Sequence, residues 1–240
     1  MTSISPTRAV VFDAVGTLIR LDPPAGDVYA TFAARFGSRL DAAEIRRRFD
    51  VAFAAQERID AEREHRTDER RERERWRQIV GEVIDDCEDP QGCFRSLYDH
   101  FALPSSWRCD DDAAAVLAGM KARGFVVGMA SNFDHRLRPI VAGLNDLTGL
   151  DHLWISSEIG WKKPARGFFH EVCRTLGMEP TQILFVGDDL ANDYNGALAA
   201  GMPTLLLDPR GRFEINAGQR IVRLPDLLTL DDSAVWGCNS

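Results

Sequence analysis

The chain has 240 residues, 45% of them apolar, which is enough for one α/β domain with a modest insertion and a substantial core. Its formal net charge of -8 gives no reason to expect nucleic acid or an anionic membrane as a partner, because both require a basic surface. Five scattered cysteines without CxxC spacing, and no signal peptide or long apolar run, favour a cytoplasmic protein without disulfides, zinc or a membrane span.

The first predicted element is a buried strand over 9–12, and similar short apolar runs recur later in the chain. These later runs cover 124–130, 152–155, 182–186 and 204–207. Helical patterns lie around and between them, over 111–124, 134–144, 165–177 and 190–201. Such alternation predicts an α/β fold, a Rossmann-like core built on a parallel sheet that is covered on both faces.

Residues 21–108 interrupt the alternation, because they contain four helical patterns and no convincing strand. Their apolar positions repeat at helical spacing: Val28, Phe32, Phe36; Ile45, Phe49, Phe53; Trp76, Ile79, Val80, Val83, Ile84; and Phe94, Leu97, Tyr98, Phe101. We therefore expect an all-helical cap over 21–108, inserted into a core domain formed by 1–20 and 109–240. Hinges at 20–24 and 103–107 would let this cap open and close.

The run from Glu57 to Arg77 carries eight arginines and eight acidic residues. It could be read as a nucleic-acid arm, but its charges sum to zero and some pairs stand four residues apart on a helix, such as Glu62 with Arg66. The pattern favours a solvated helix face.

Polar residues follow four of the predicted strands, three of them directly and one after the intervening stretch "SSEIGWK". They are Asp13, Ser131-Asn132, Lys163-Pro164, and Gly187-Asp188-Asp189 with Asn192-Asp193 one helical turn later. Because the carboxyl ends of parallel strands meet at one edge of a sheet, these side chains are expected to converge there. Ser131 and Asn132 could cap the following helix or bind phosphate, and both roles are compatible.

This set of residue types suits phosphoryl transfer. Asp13 would attack phosphorus and form an aspartyl phosphate that water then hydrolyses, while Ser131 and Lys163 hold the phosphoryl oxygens. Mg²⁺ between Asp13 and Asp188 would offset the repulsion between the carboxylates, which otherwise raise each other's pKa. The predicted substrate is a small phosphorylated metabolite, and nothing in the sequence predicts the oligomeric state.

The stretches "VVFDAVGTL", "ASN", "GWKKP" and "FVGDDLANDYNGALAAG" resemble the four motifs of the haloacid dehalogenase-like hydrolase superfamily, in order and at fitting separations. The match spans roughly residues 8–208, and the helical insertion after the first motif resembles the cap of that family. The resemblance implies that Asp13 is the nucleophile and that Ser131 contacts the phosphate. Asn132 joins Ser131 in the substrate-binding set.

The same resemblance implies the remaining roles at the site. Lys163, rather than its neighbour Lys162, corresponds to the motif-three lysine, because the lysine of the family stands directly before the proline. The implied metal ligands are Asp13, Asp188, Asp193 and the backbone carbonyl of Val15, with Asp193 close either to the metal or to Lys163. The role of Asp189 is left open.

One position departs from the pattern of the phosphatases in this family. They carry a second aspartate two residues after the nucleophile, which protonates the leaving group and later activates water, and this chain has Val15 there. General acid-base assistance is worth roughly a hundred- to ten-thousandfold, so a phosphatase without it should be slow on poor leaving groups.

Three functions therefore stay open. The first is a Mg²⁺-dependent phosphohydrolase, which the acidic motif supports. The second is a 2-haloacid dehalogenase, a metal-free enzyme whose halide leaves without a general acid. The third is a weakly active or non-catalytic protein that binds a phosphorylated ligand on the same scaffold.

Overall fold

The computed structural model of the protein describes residues 7–230, so the predictions on 1–6 and 231–240, including Cys238, lie outside the described residues. Its strands are β1 (Ala9–Phe12), β2 (Ile19–Leu21), β3 (Trp107–Cys109), β4 (Val126–Ser131), β5 (His152–Ile155), β6 (Ile183–Gly187), β7 (Thr204–Leu207) and β8 (Arg220–Ile221). Six of them form a parallel sheet in the order β5-β4-β1-β6-β7-β8. The predicted α/β class is confirmed.

Strand β1 lies in the interior of this sheet and is buried on both faces. Val10 and Phe12 pack into the core on one face, while Ala9 and Val11 pack into the core on the other. From β1 the chain first builds β4 and β5 on one side and then crosses to β6, β7 and β8 on the other. The carboxyl end of β1 is therefore the switch point of the sheet, where ligands of open α/β folds bind.

Nine α-helices and one π-helix occur among the described residues. They are α1 (Ala25–Arg35), α2 (Ala42–Glu62), α3 (Glu69–Val83), α4 (Pro90–His100), α5 (Ala113–Ala122), α6 (Leu137–Gly143), α7 (Ser156–Ile159), α8 (Arg166–Leu176), the π-helix Leu190–Asn195 and α9 (Gly196–Ala199). The single helix predicted over 190–201 is thus a π-helix followed by one α-helical turn. Every helix in 7–230 is too short or too polar to cross a membrane. Cys87, Cys93, Cys109 and Cys173 are free thiols.

Helices α1 to α4 form the predicted helical segment and share one apolar core. Aromatic contacts hold it together, such as the edge-to-face pair of Tyr29 and Phe49, whose ring centroids are 5.2 Å apart. The segment leaves and rejoins the sheet domain through β2 and β3, which pair antiparallel with Leu21 opposite Trp107. The domain boundaries at 20/21 and 108/109 stay a prediction.

The loop between α2 and α3 contacts the sheet domain far from β2 and β3. The backbone N–H of Thr67 donates to the carbonyl of Gly160 at 3.2 Å, and the guanidinium of Arg66 stacks on the Trp161 ring at 3.7 Å. Glu69 accepts hydrogen bonds from His135 and Ser157 of the sheet domain. The helical segment is therefore attached to the sheet domain at this loop as well as through β2 and β3.

The prediction of a solvated face over residues 57–77 is wrong for the middle of that run. Asp60, Glu72 and Arg75 are buried, because α2 and α3 pack against each other and against the loop before α8. The Asp60 carboxylate accepts from Arg71 at 2.6 Å, from Arg75 at 3.1 Å and from Lys162 Nζ at 2.6 Å. This buried ion cluster, defined by Glu57, Asp60, Arg71, Glu72, Arg75 and Lys162, joins the helical segment to the sheet domain.

Candidate active site

Asp13 follows β1 at the switch point of the sheet. It is buried, and its backbone N–H donates to the Val186 carbonyl of β6 at 2.8 Å, which fixes where the strand ends. A tight turn follows, in which the N–H groups of Leu18 and Ile19 both donate to the Ala14 carbonyl. The turn leaves Val15 40% exposed, and this residue lines the same cleft as Asp13.

Lys163 lies beneath the nucleophile candidate and is fully buried. Its Nζ donates to Asp13 Oδ1 at 2.5 Å, to Asp193 Oδ1 at 2.6 Å and to the Ala130 carbonyl at 3.0 Å. Burial disfavours the charge of the ammonium group, but the two carboxylates outweigh burial and raise the pKa of Lys163 above its ordinary value. Lys163 is therefore a fixed cation whose three donors are all in use.

Ser131 and Asn132, at the end of β4, line the cleft in different ways. The Asn132 amide brackets the backbone of Lys163, accepting from its N–H at 2.7 Å and donating to its carbonyl at 2.9 Å. This arrangement favours a positioning role for Asn132 over the predicted contact with substrate. Ser131 carries no described hydrogen bond on its hydroxyl, which leaves that group available to a ligand in the cleft.

Three carboxylates converge beside Lys163. One oxygen from each of Asp13, Asp188 and Asp193 lies within 4.8 Å of the other two. Burial is the main cause of their raised pKa values, assisted by mutual repulsion: the pKa of Asp188 rises to about 6 and that of Asp193 to about 7, and the pKa of Asp13 is also raised. One ammonium group cannot balance three carboxylates, so the site carries excess negative charge.

Two glycines leave the space that these acids occupy. A Cβ atom on Gly16, whose φ is +96°, would lie 2.5 Å from Asp188 Oδ2, and a Cβ on Gly187 would lie 2.3 Å from Asp193 Oδ2. Any larger residue at either position would displace a carboxylate. The glycines of the first and fourth motifs are therefore required by the site itself.

The residues fit a hard divalent cation, because every donor is oxygen and the local charge is negative. Asp188 has no described hydrogen-bond donor, and one Asp13 oxygen is free of Lys163, so these two carboxylates are best placed to hold the ion. Both oxygens of Asp193 are engaged, one by Lys163 and one by the N–H of Asp189 at 3.1 Å. Asp193 therefore acts first as a partner of Lys163, and metal ligation by Asp193 and by the Val15 carbonyl stays a prediction.

Asp189 caps the π-helix. Its Oδ1 accepts from the backbone N–H groups of Ala191 and Asn192, each at 2.8 Å. This geometry gives Asp189 a structural role at the start of the helix that carries Asp193.

The cleft over these residues has a volume of about 550 Å³. Its lining residues are Asp13, Val15, Ser131, Asn132, Lys163, residues 188–193, Asn195, Arg212 and Phe213. The sequence did not predict Arg212, although it follows the buried strand β7 at the same edge of the sheet. Applying the strand-end rule to β7 would have pointed to Asp208, the first residue of the loop that carries Arg212.

Three features together define the class of protein. An aspartate follows the first strand, a buried lysine from a later loop holds it, and an acidic turn faces it. The haloacid dehalogenase-like hydrolase family model matches residues 7–201, and the chain belongs to this family of hydrolases. It is 30% identical over 212 residues to haloacid dehalogenase-like hydrolase domain-containing protein 3 of Bos taurus, covering 83% of this chain and 81% of that protein.

Solved structures share the fold over nearly the whole chain. A HAD phosphatase from Thermococcus onnurineus is 21% identical with a TM-score of 0.67, covering 93% of this chain and 97% of its own. The L-2-haloacid dehalogenase of Xanthobacter autotrophicus, with chloropropionic acid covalently bound, is 17% identical with a TM-score of 0.71 and the same two coverages. Because proteins named for both chemistries share the fold, the fold alone does not distinguish between them.

Proposed function

We propose that the protein is a Mg²⁺-dependent phosphohydrolase that forms an aspartyl phosphate on Asp13. The observation that carries this proposal is the placement of Asp188, a carboxylate without a described donor, beside the Asp13–Lys163–Asp193 arrangement. An acid excess of this kind suits a bound cation, which would in turn offset the repulsion between these acids and a phosphoryl group. The 2-haloacid dehalogenases of the family that the motifs resemble are metal-free, so they do not need an acidic turn to bind a cation.

In the proposed reaction, a carboxylate oxygen of Asp13 attacks phosphorus. The new oxygen–phosphorus bond forms as the bond to the leaving oxygen breaks, and the leaving group carries away the electron pair. Lys163 keeps the nucleophile ionised and oriented, and the Ser131 hydroxyl donates to a phosphoryl oxygen. Water then attacks the aspartyl phosphate and releases phosphate, which restores Asp13.

Mg²⁺, held by Asp13 and Asp188, would supply positive charge that screens the phosphoryl oxygens from the acids. Val15 has no acidic group, so the leaving group must take its proton from solvent. The proposed enzyme therefore favours substrates with good leaving groups. A small phosphorylated metabolite as substrate, consistent with a cleft of about 550 Å³, and a cytoplasmic location belong to the same proposal.

The test measures hydrolysis of p-nitrophenyl phosphate and acetyl phosphate with Mg²⁺, with EDTA, and in the Asp13→Asn variant. We expect turnover that requires both Mg²⁺ and Asp13. Chloride release from 2-chloropropionate in EDTA would instead support a dehalogenase. Tight binding of beryllium fluoride without turnover on a broad phosphate panel would support a binding protein.

The raised pKa of Asp188 makes Mg²⁺ binding depend on pH. A proton on this carboxylate competes with the cation, and with a pKa of about 6 only about a tenth of the group is ionised at about pH 5. We expect the affinity for Mg²⁺ to be at least about tenfold weaker at pH 5 than at pH 8, rising as pH passes through 6. Calorimetric titration with MgCl₂ measures this, and equal affinities at both pH values would contradict it. The Asp188→Asn variant should lose most of the binding.

A further inference from the structure

The loop after β7 is folded around one buried carboxylate. Asp208, which is fully buried, accepts from the backbone N–H of Arg212 at 3.0 Å and from that of Phe213 at 3.2 Å. Arg220 Nε lies 3.5 Å from the other side of the same carboxylate, and Arg220 also donates to the Phe213 carbonyl. These contacts hold Arg212 at the rim of the catalytic cleft.

The guanidinium of Arg212 lies beside Asp208 and keeps binding capacity. Its Nε is 3.6 Å from Asp208 Oδ1, beyond a normal hydrogen bond, and the side chain is 49% exposed. Its carbon Cζ lies 4.9 Å from the centroid of the Phe213 ring. Within residues 7–230, no hydrogen bond from its terminal nitrogens is described, so their paired N–H donors are available to a ligand in the cleft that Arg212 lines.

Among residues 7–230, Arg212 and Lys163 are the two cationic side chains that line the cleft. Lys163 lies at the buried end of the cleft, and its three N–H groups donate to Asp13, Asp193 and the Ala130 carbonyl. Asp188 and Arg212 line the same cleft. An anion that enters this acidic cleft would therefore meet Arg212 at the rim.

We propose that Arg212 binds a second anionic group of the substrate, a specificity-determining contact. The substrate is then a phosphate monoester that also carries a carboxylate or a second phosphate. This inference rests on the proposed function, because the transferred phosphoryl group must occupy the buried end beside Asp13 and Ser131. A guanidinium is suited to this task, since its paired N–H donors match the two oxygens of a carboxylate or phosphate.

The test compares three probes: methylphosphonate, which has no second anionic group, and phosphonoacetate and 3-phosphonopropionate, which add a carboxylate at two distances. Their affinities are measured by calorimetry with Mg²⁺ for the wild type, Arg212→Gln and Arg210→Gln. Arg210 is an exposed arginine of the same loop that does not line the cleft, so it controls for the loss of one charge. Binding of these probes does not require turnover.

In Arg212→Gln, we expect at least one carboxylate-bearing probe to bind about tenfold more weakly, while methylphosphonate weakens by less than about threefold. Arg210→Gln should change none of the three affinities by more than about twofold, and Arg212→Lys should recover part of the loss.

Equal losses for all three probes in Arg212→Gln would place the guanidinium on the transferred phosphoryl group and overturn the inference. So would the absence of any loss, or an equal loss in Arg210→Gln. Failure of the proposed function is separate: the wild type would then hydrolyse no phosphate ester.

Discussion

Replacing Val15 with aspartate is expected to raise the turnover of phosphate esters about a hundredfold. Val15 is 40% exposed and lines the cleft beside Asp13, so a carboxyl group there would reach the substrate without being buried. It would supply the missing proton donor, and the gain should be larger for an alkyl phosphate than for an aryl phosphate, whose leaving group needs less protonation. Steady-state kcat with Mg²⁺ on one ester of each kind measures the effect.

The matched control is Val15→Asn, which has nearly the shape of aspartate but cannot donate a proton as a carboxylic acid. We expect kcat of this variant to stay within about threefold of the wild type, so that the difference between the two variants isolates acid catalysis. A Val15→Asp protein that folds, binds Mg²⁺ and gains no more than Val15→Asn would contradict both the phosphohydrolase and the weakened-scaffold interpretations.

The core of the fold could be predicted because its strands are short apolar runs buried on both faces. The strand expected over 9–12 is β1, and those expected over 152–155 and 204–207 are β5 and β7 with the same bounds. The strands β2 and β3 have three residues each and β8 has two, too few for any periodic pattern. Their positions depend on pairing partners that are distant in the sequence, such as Leu21 opposite Trp107.

The candidate site was predictable as a set of residues but not as a set of contacts. The strand-end rule brought together Asp13, Ser131, Lys163 and Asp188, and the structure places them around one cleft. The rule cannot say which atoms meet. The Asn132 amide bonds to the backbone of Lys163. This contact depends on the path of the loop between α7 and α8, which local sequence does not determine.

The charge run fails as a prediction for a related reason. Counting pairs along one helix identifies Glu62 with Arg66 and Glu69 with Arg73, yet Arg66 stacks on Trp161 and Glu69 binds His135. Contacts between elements have replaced contacts within a helix. A balanced run of charges is therefore compatible both with a solvated face and with a buried ion cluster, and only the packing of α2 and α3 against the sheet domain distinguishes them.

That buried cluster leads to the largest stability effect expected in this protein. Asp60 is fully buried and accepts from Arg71, Arg75 and Lys162. The Asp60→Asn substitution therefore leaves two buried cations and the partly buried Arg71 with less compensating charge. Breaking a buried ion pair by removing one partner costs about 3–5 kcal/mol, and we expect Asp60→Asn to lower the free energy of unfolding by about 3 kcal/mol. Urea denaturation followed by tryptophan fluorescence measures the change.

The pH dependence of this loss has a definite sign. Burial opposes the ionisation of Asp60, but Lys162 and the arginines outweigh it and hold its pKa below the ordinary 3.8. A carboxyl group whose pKa is depressed in the folded state stabilises the fold at pH values above its ordinary pKa. That contribution is lost as the pH falls through the folded-state pKa. The difference between the wild type and Asp60→Asn should therefore be constant from about pH 6 to about pH 8 and shrink in acid.

The control is Asp50→Asn, which removes the same charge from an exposed position of α2 and should change the free energy of unfolding by less than about 0.5 kcal/mol. Lys162, a member of the cluster, directly precedes Lys163. The backbone N–H of Lys162 donates to the His65 carbonyl at 2.9 Å, so the cluster also fixes the loop that carries the proposed catalytic lysine. We therefore expect Asp60→Asn to lower kcat as well, even at temperatures where the variant is folded. Equal stabilities of the two variants would mean that water enters the cluster and hydrates its charges.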